Sequence, residues 1–103
     1  MINQGPRFKE PITHNDLRHL RSLLFSDHLI TDIAPLAAMT QLGTLDLAKN
    51  KITNISPLAG LTQLTTLNLD NNNITDISPL AALTQATSYR LHLWLNNNQI
   101  TDI

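Results

Sequence analysis

A repeat of fixed period is the feature that most constrains this chain. The segments ITDIAPLA, ITNISPLA and ITDISPLA begin at Ile30, Ile52 and Ile74, which are 22 residues apart. A further ITDI begins at Ile100, 26 residues after Ile74. Self-similarity at a period of about 20 to 50 residues is typical of solenoids, in which neighbouring repeats share one core. The sequence therefore predicts a stack of similar coils.

Each repeat carries an alternating apolar triplet followed by a segment with apolar residues at every third position. The alternation predicts a short strand with one face in the core, and the spacing of three suits 3₁₀ turns. A proline in the second segment disfavours a regular α-helix but allows a turn. The triplets are residues 23–25, 45–47, 67–69 and 93–95, and the prolines are Pro35, Pro57 and Pro79.

The last repeat is four residues longer than the others. One register keeps the triplet 93–95 and Asn98 in frame and places the added residues at 87–90, before the strand. The other register puts Trp94 at the asparagine position and leaves Asn98 without a role, so we prefer the first. The insertion is interpreted as a decayed or indel-bearing repeat, with a functional embellishment as the alternative.

An asparagine follows three of the triplets at the same position: Asn50, Asn72 and Asn98. A buried amide has donors and acceptors that can satisfy the backbone groups left unpaired at a corner, coil after coil. We therefore expect a structural ladder, although these residues could also simply favour the turn. His28 occupies the position in the first copy, where the ladder is expected to begin imperfectly because imidazole has fewer hydrogen-bonding groups.

The repeat LTQLTTLNLDNNNITDISPLAAL and its copies, between Leu17 and Ile103, resemble the leucine-rich repeats of about 22 residues in bacterial internalin-like proteins and in a protein-phosphatase regulatory subunit. The resemblance implies an α/β repeat fold. It is a curved solenoid with short parallel strands on its concave face and 3₁₀ or irregular turns on its convex side. Members of this family use the concave face to bind proteins.

About four such repeats are expected over residues 17–103, the last of them incomplete and without a C-terminal cap. Residues 1–16 fit no repeat and are expected to form a partial cap, in which Thr13 and Asp16 have the spacing of a capping box. Leu93, Leu95 and Ile100 would be left with one side in water. The chain is therefore expected to be a fragment of a longer array, a truncated reading frame, or one half of a dimer joined end to end.

Strand positions that point away from the core form the predicted protein-binding face. They are Leu24, Thr44, Asp46, Thr66, Asn68, Asp70, His92, Trp94 and Asn96, with Ser22, Ser26 and Ala48 at equivalent positions. Trp94 is the only tryptophan and is expected to be an interaction anchor. Alternatively, it covers the neighbouring coil or packs on a further repeat.

Several classes of function are disfavoured by composition. Seven basic and eight acidic side chains give no electrostatic footprint for nucleic acid or anionic lipid, and no apolar run is long enough for membrane insertion. The chain has no cysteine, and His14, His19 and His28 lack metal-ligand spacing. Asp46, Asp70 and His92 lie on an open face without a nucleophile or phosphate loop. We therefore expect no enzyme activity, no metal and no cofactor.

The sequence thus predicts a protein-binding module that uses the concave face of a leucine-rich-repeat solenoid. The alternative is a structural spacer within a larger surface or multidomain protein. End-to-end self-association through the last coil is a further expectation. Localisation is expected to be cytoplasmic if Met1 is the true start, and cell-surface or secreted if the chain belongs to a longer internalin-like protein.

Overall fold

Short parallel strands stack in chain order to form one sheet. The computed structural model describes residues 21–86 and 91–101. Within them the strands are β1 (Ser22–Leu24), β2 (Thr44–Asp46), β3 (Thr66–Asn68) and β4 (His92–Trp94), and the sheet order is β1-β2-β3-β4. This confirms the predicted leucine-rich-repeat solenoid.

The pairing register follows the repeat. Leu45 lies opposite Leu23 and Leu67, and Leu67 lies opposite Leu93. The last pairing agrees with the register in which the four added residues precede the strand. Residues 87–90 themselves, and the expected cap at 1–16, lie outside the described residues.

The return segments carry short helices. Two of them are 3₁₀ helices, Ala34–Ala38 and Ser56–Leu58, and the third is an α-helix, Pro79–Ala86. Proline is tolerated at the first position of an α-helix, because its missing N–H has no intrahelical partner there and its φ is already helical. Pro79 is therefore compatible with the α-helix that it begins, which the expectation of 3₁₀ or irregular turns did not include.

Each return segment begins with an Asp or Asn whose side chain accepts a hydrogen bond from the backbone. The Oδ1 atoms of Asp32, Asn54 and Asp76 accept hydrogen bonds from the backbone N–H two residues further on, at 2.9, 3.0 and 2.9 Å. Such Asx turns explain why each repeat has Asp or Asn at this position. The backbone and side-chain hydrogen bonds from Ser78 lower the pKa of Asp76 below its usual value of 3.8.

The core is aliphatic and best covered in the central coils. Leu45, Leu67 and Leu69 are fully buried, as are Ile52 and Ile74. The side chains at the corresponding positions of the last described coil, which include Leu93, Leu95 and Ile100, are half-buried. Each apolar row is covered by the coils on its two sides, so burial falls toward either end of the stack.

The chain turns sharply after each strand through a residue in the left-handed conformation. Asp27, Lys49, Asn71 and Asn97 occupy this corner position with φ near 60°. Asparagine and aspartate tolerate this conformation better than other residues with a side chain do. Lys49 is therefore the least favourable residue of the four.

Candidate functional site

The ladder asparagines bond each corner to the coil before it. Asn72 Oδ1 accepts from Ile52 N–H at 3.0 Å, while its Nδ2 donates to the carbonyls of Leu47, Leu69 and Asp70 at 3.0, 3.1 and 3.3 Å. Asn72 is 5% exposed, and no buried side-chain polar atom in the described residues lacks a partner. The amide therefore joins two coils and closes its own corner.

The same contacts occur one coil earlier and one coil later. Asn50 Oδ1 accepts from the N–H groups of His28 and Ile30, both at 2.9 Å. Asn98 Oδ1 accepts from Ile74 N–H at 3.1 Å, and its Nδ2 donates to three carbonyls. The exposed His28 ring forms a hydrogen bond with the Ser26 carbonyl of its own coil instead. These bonds fix the spacing between neighbouring coils. The strands of these coils face solvent on the side away from the core.

The solvent-facing side of the sheet, called here the concave face, is formed by strand positions and the residues that directly follow them. Strand pairing aligns Leu24, Asp46, Asn68 and Trp94 in one row across the coils. A second row contains Ser22, Thr44, Thr66 and His92. Ser26, Ala48, Asp70 and Asn96 hold the equivalent position beyond the strands.

Exposure differs along these rows. Leu24 and Trp94 are 63% and 42% exposed, and His92 and Asn96 are also exposed. The side chains between them are half-buried: Thr44, Asp46, Thr66, Asn68 and Asp70. Ala48, assigned to this face from its position, is buried, since a methyl group does not reach beyond its neighbours. Two large apolar side chains thus stand at opposite ends of a polar row.

The Trp94 indole stacks on the ring of His92, two residues earlier on the same strand. The rings of His92 and Trp94 lie 6.3 Å apart between centroids, with an angle of 24° between their planes. Residues two apart on a strand share a face. The sequence places both rings on that face but does not reveal their stacking, which depends on the side-chain rotamers.

Asp70 is fixed by the next coil. Its Oδ1 accepts a hydrogen bond from the Asn96 backbone N–H at 2.7 Å. Asp46 Oδ1 accepts from Ala48 N–H at 3.1 Å within its own coil. In the described part of the chain neither carboxylate forms an ion pair or a second side-chain hydrogen bond. Both carboxylates therefore keep an oxygen for a ligand.

The described residues hold no group of His, Cys, Asp or Glu suited to a metal ion. A cavity of about 360 Å³ lies beside the first return segment, lined mainly by apolar side chains such as Phe25, Ile33 and Met39. Asp32, the acidic residue among the described residues of its wall, accepts a hydrogen bond from Ala34 N–H. No helix in the described ranges has the length and apolar character needed to cross a bilayer. The concave face is thus the main candidate site.

Known proteins share this architecture. The family described as "Leucine Rich repeats (2 copies)" matches residues 18–58 and 40–82. The crystal structure of the internalin InlF from Listeria monocytogenes matches 89% of the chain, with a TM-score of 0.78 and 35% sequence identity. The crystal structure of internalin C2 from the same species matches 85% of the chain, with a TM-score of 0.78 and 41% sequence identity. No curated protein sequence gives a significant match.

The chain belongs to the leucine-rich-repeat family, and its repeats are similar to those of the two internalins. It is accordingly a protein-interaction repeat module, of a family that is typically not enzymatic. It spans 26% of the InlF chain and 37% of the internalin C2 chain.

Proposed function

We propose that this array binds another protein through its concave face and that Trp94 is the anchor of that contact. The observation that carries the proposal is the position of this single tryptophan, 42% exposed in a row that faces solvent. Tryptophan is enriched among residues that dominate binding energy, because a large apolar ring loses little side-chain entropy when it is covered.

The backbone beneath this face favours tight binding. Parallel pairing and the ladder amides hold the strands in fixed register before any partner arrives. A preorganised surface loses less conformational entropy on binding than a mobile one. The half-buried polar side chains around Asn68 then offer hydrogen bonds at set positions.

The same face supports the expectation that the chain is not an enzyme. Asp46, Asp70 and His92 are spread over three coils of an open surface, and in the described residues no side-chain hydrogen bond joins them to one another or to the hydroxyl of Thr66, which lies opposite His92. A general base needs to lie within hydrogen-bond reach of the proton it abstracts. Recognition by shape and a few anchors is the function that this geometry favours.

Variants on and off the face test the proposal. The chain would be used to select binders from a displayed library of protein fragments, and affinities would be measured for Trp94→Ala and for Leu29→Ala. Leu29 is the matched control, since it is 70% exposed and lies at the first corner, outside the rows. We expect Trp94→Ala to weaken binding about 30-fold, equivalent to about 2 kcal/mol, and Leu29→Ala to change it less than twofold.

A structural spacer is the competing function. A spacer would yield no selected binder, or binders whose affinity is the same for the parent chain and for both variants. Either result would remove the proposed role of the concave face.

Self-association is a second candidate, favoured by one observation. Leu93 and Leu95 are only half-buried, whereas the matching Leu67 and Leu69 are fully covered by a coil on each side. A second copy placed against β4 would cover them. Sedimentation should then show a dimer that Leu95→Glu dissociates and that Leu24→Glu leaves intact; a monomer at all concentrations contradicts this candidate.

A further inference from the structure

The concave face has charge of one sign. Its acidic side chains in the described residues are Asp46 and Asp70, and no lysine or arginine lies in the rows that form it. Net charge over the whole chain is only −1. The acidic character therefore belongs to this face and not to the molecule as a whole.

The indole of Trp94 lies on the same face of the sheet as these two carboxylates. His92 and Trp94 lie on one face of β4, Asn96 follows at the equivalent position beyond the strand, and His92 stacks against the indole. Because His92 lies against one side of the indole, a ligand would approach the ring from another side. Asp70 accepts a hydrogen bond from the Asn96 N–H of the next coil, which places its carboxylate at a backbone group two residues from Trp94.

An aromatic face next to a carboxylate is suited to a cationic side chain. The ring quadrupole attracts a cation within about 6 Å of its centroid, and a carboxylate that keeps one free oxygen can pair with the same cation. Asp46 lies opposite Asn68 and therefore diagonally across from Asp70, about 8 Å away by the strand spacing and the rise per residue of a sheet, and adds a second negative charge. A guanidinium combines a flat surface for stacking with several N–H donors.

We propose that the partner inserts an arginine or lysine side chain between the indole of Trp94 and the carboxylate of Asp70. The partner is thus a protein that presents an exposed basic segment to the concave face. This inference rests on the proposed function and specifies the chemistry of the partner.

Selection from a random peptide library tests the inference with the full chain as target. Selected peptides should be enriched in arginine or lysine. Replacing the critical arginine by citrulline, which has the same shape without the charge, should weaken binding at least tenfold. Asp70→Asn keeps the acceptor for Asn96 N–H and should weaken binding about three- to tenfold, with a smaller loss at high salt. Asp76→Asn, the matched change on an exposed residue of the return segment, should have no effect.

Three results would overturn the inference, and they separate it from the proposed function. In the first result, Trp94→Ala weakens peptide binding, but neither Asp70→Asn in the chain nor citrulline in the peptide does. This result would place binding on the concave face and reject the cationic partner. Peptides indifferent to Trp94→Ala and to Asp70→Asn would reject both proposals. Failure to enrich any peptide from the library would likewise count against both.

Discussion

Removal of one ladder amide should destabilise the array by an amount that can be worked from its contacts. Asn72→Ala deletes a side chain that accepts one hydrogen bond, from Ile52 N–H, and donates to three carbonyls. The backbone φ of Asn72 is not among the positive values, unlike that of its neighbour Asn71. Alanine therefore tests the amide without adding backbone strain.

The three carbonyls keep other donors after this change. Two of them also accept from the neighbouring ladder amides, and the third accepts from Lys49 N–H at 2.8 Å. Ile52 N–H has no other acceptor among the described residues, and Ile52 is 0% exposed. One orphaned buried donor costs about 1–3 kcal/mol, and the net loss of the donated bonds adds about 1 kcal/mol. We expect a total loss of about 2–4 kcal/mol.

Urea unfolding followed by circular dichroism and by the fluorescence of the single tryptophan measures this loss. Asn96→Ala is the matched control, because Asn96 is exposed and its side chain makes no hydrogen bond in the described part of the chain. Its free energy of unfolding should change by less than about 0.5 kcal/mol. Equal values for the two variants would refute the reasoning and leave the asparagines as residues that only favour the corner.

Three further perturbations have expected results. Asp76 has a pKa below 3.8 in the folded chain because of its bonds from Ser78, so the stability it contributes is present above that pH and is lost as pH falls through the folded pKa. Asp76→Asn keeps the acceptor and should make the free energy of unfolding less dependent on pH below about 4; urea titrations with the same slope as the parent would contradict this. Lys49→Asn should stabilise by about 1 kcal/mol, because the φ of 60° disfavours lysine, and an unchanged urea midpoint would count against corner strain. Leu67→Ala should cost about 2–5 kcal/mol, since its side chain is 0% exposed, whereas Leu24→Ala, on an exposed residue, should stay within about 0.5 kcal/mol; comparable losses would reverse the assignment of inner and outer faces.

The fold could be predicted from the repeat because the period itself determines the pairing. When Leu45 and Leu67 recur 22 residues apart, each strand brings the next into register, and the longer spacing to Leu93 still preserves the apolar row. The α-helical form of Pro79–Ala86 could not be predicted in this way. An α-helix rises about 1.5 Å per residue against about 2.0 Å in a 3₁₀ helix, so the longer repeat accommodates more residues in a similar length.

The sequence predicts which positions form the candidate site but not how their side chains are arranged. The period places Asp70, His92 and Trp94 on one face, since alternate residues of a strand share a side. The stacking of His92 on Trp94 and the bond from Asn96 N–H to Asp70 depend on rotamers and on contact between coils. These contacts orient the indole and the carboxylate, and the role of this face in binding stays a prediction.

Side-chain amide signals give the most direct test of binding at the concave face. Nitrogen-15 spectra of the chain would be recorded with and without a selected binder. Asn68 and Asn96 lie on the concave face, while Asn54 begins a return segment and bonds to Ser56 N–H. Our account predicts that the amide signals of Asn68 and Asn96 shift on binding and that the signal of Asn54 does not. A shift of Asn54 alone, with Asn68 and Asn96 unchanged, would contradict it.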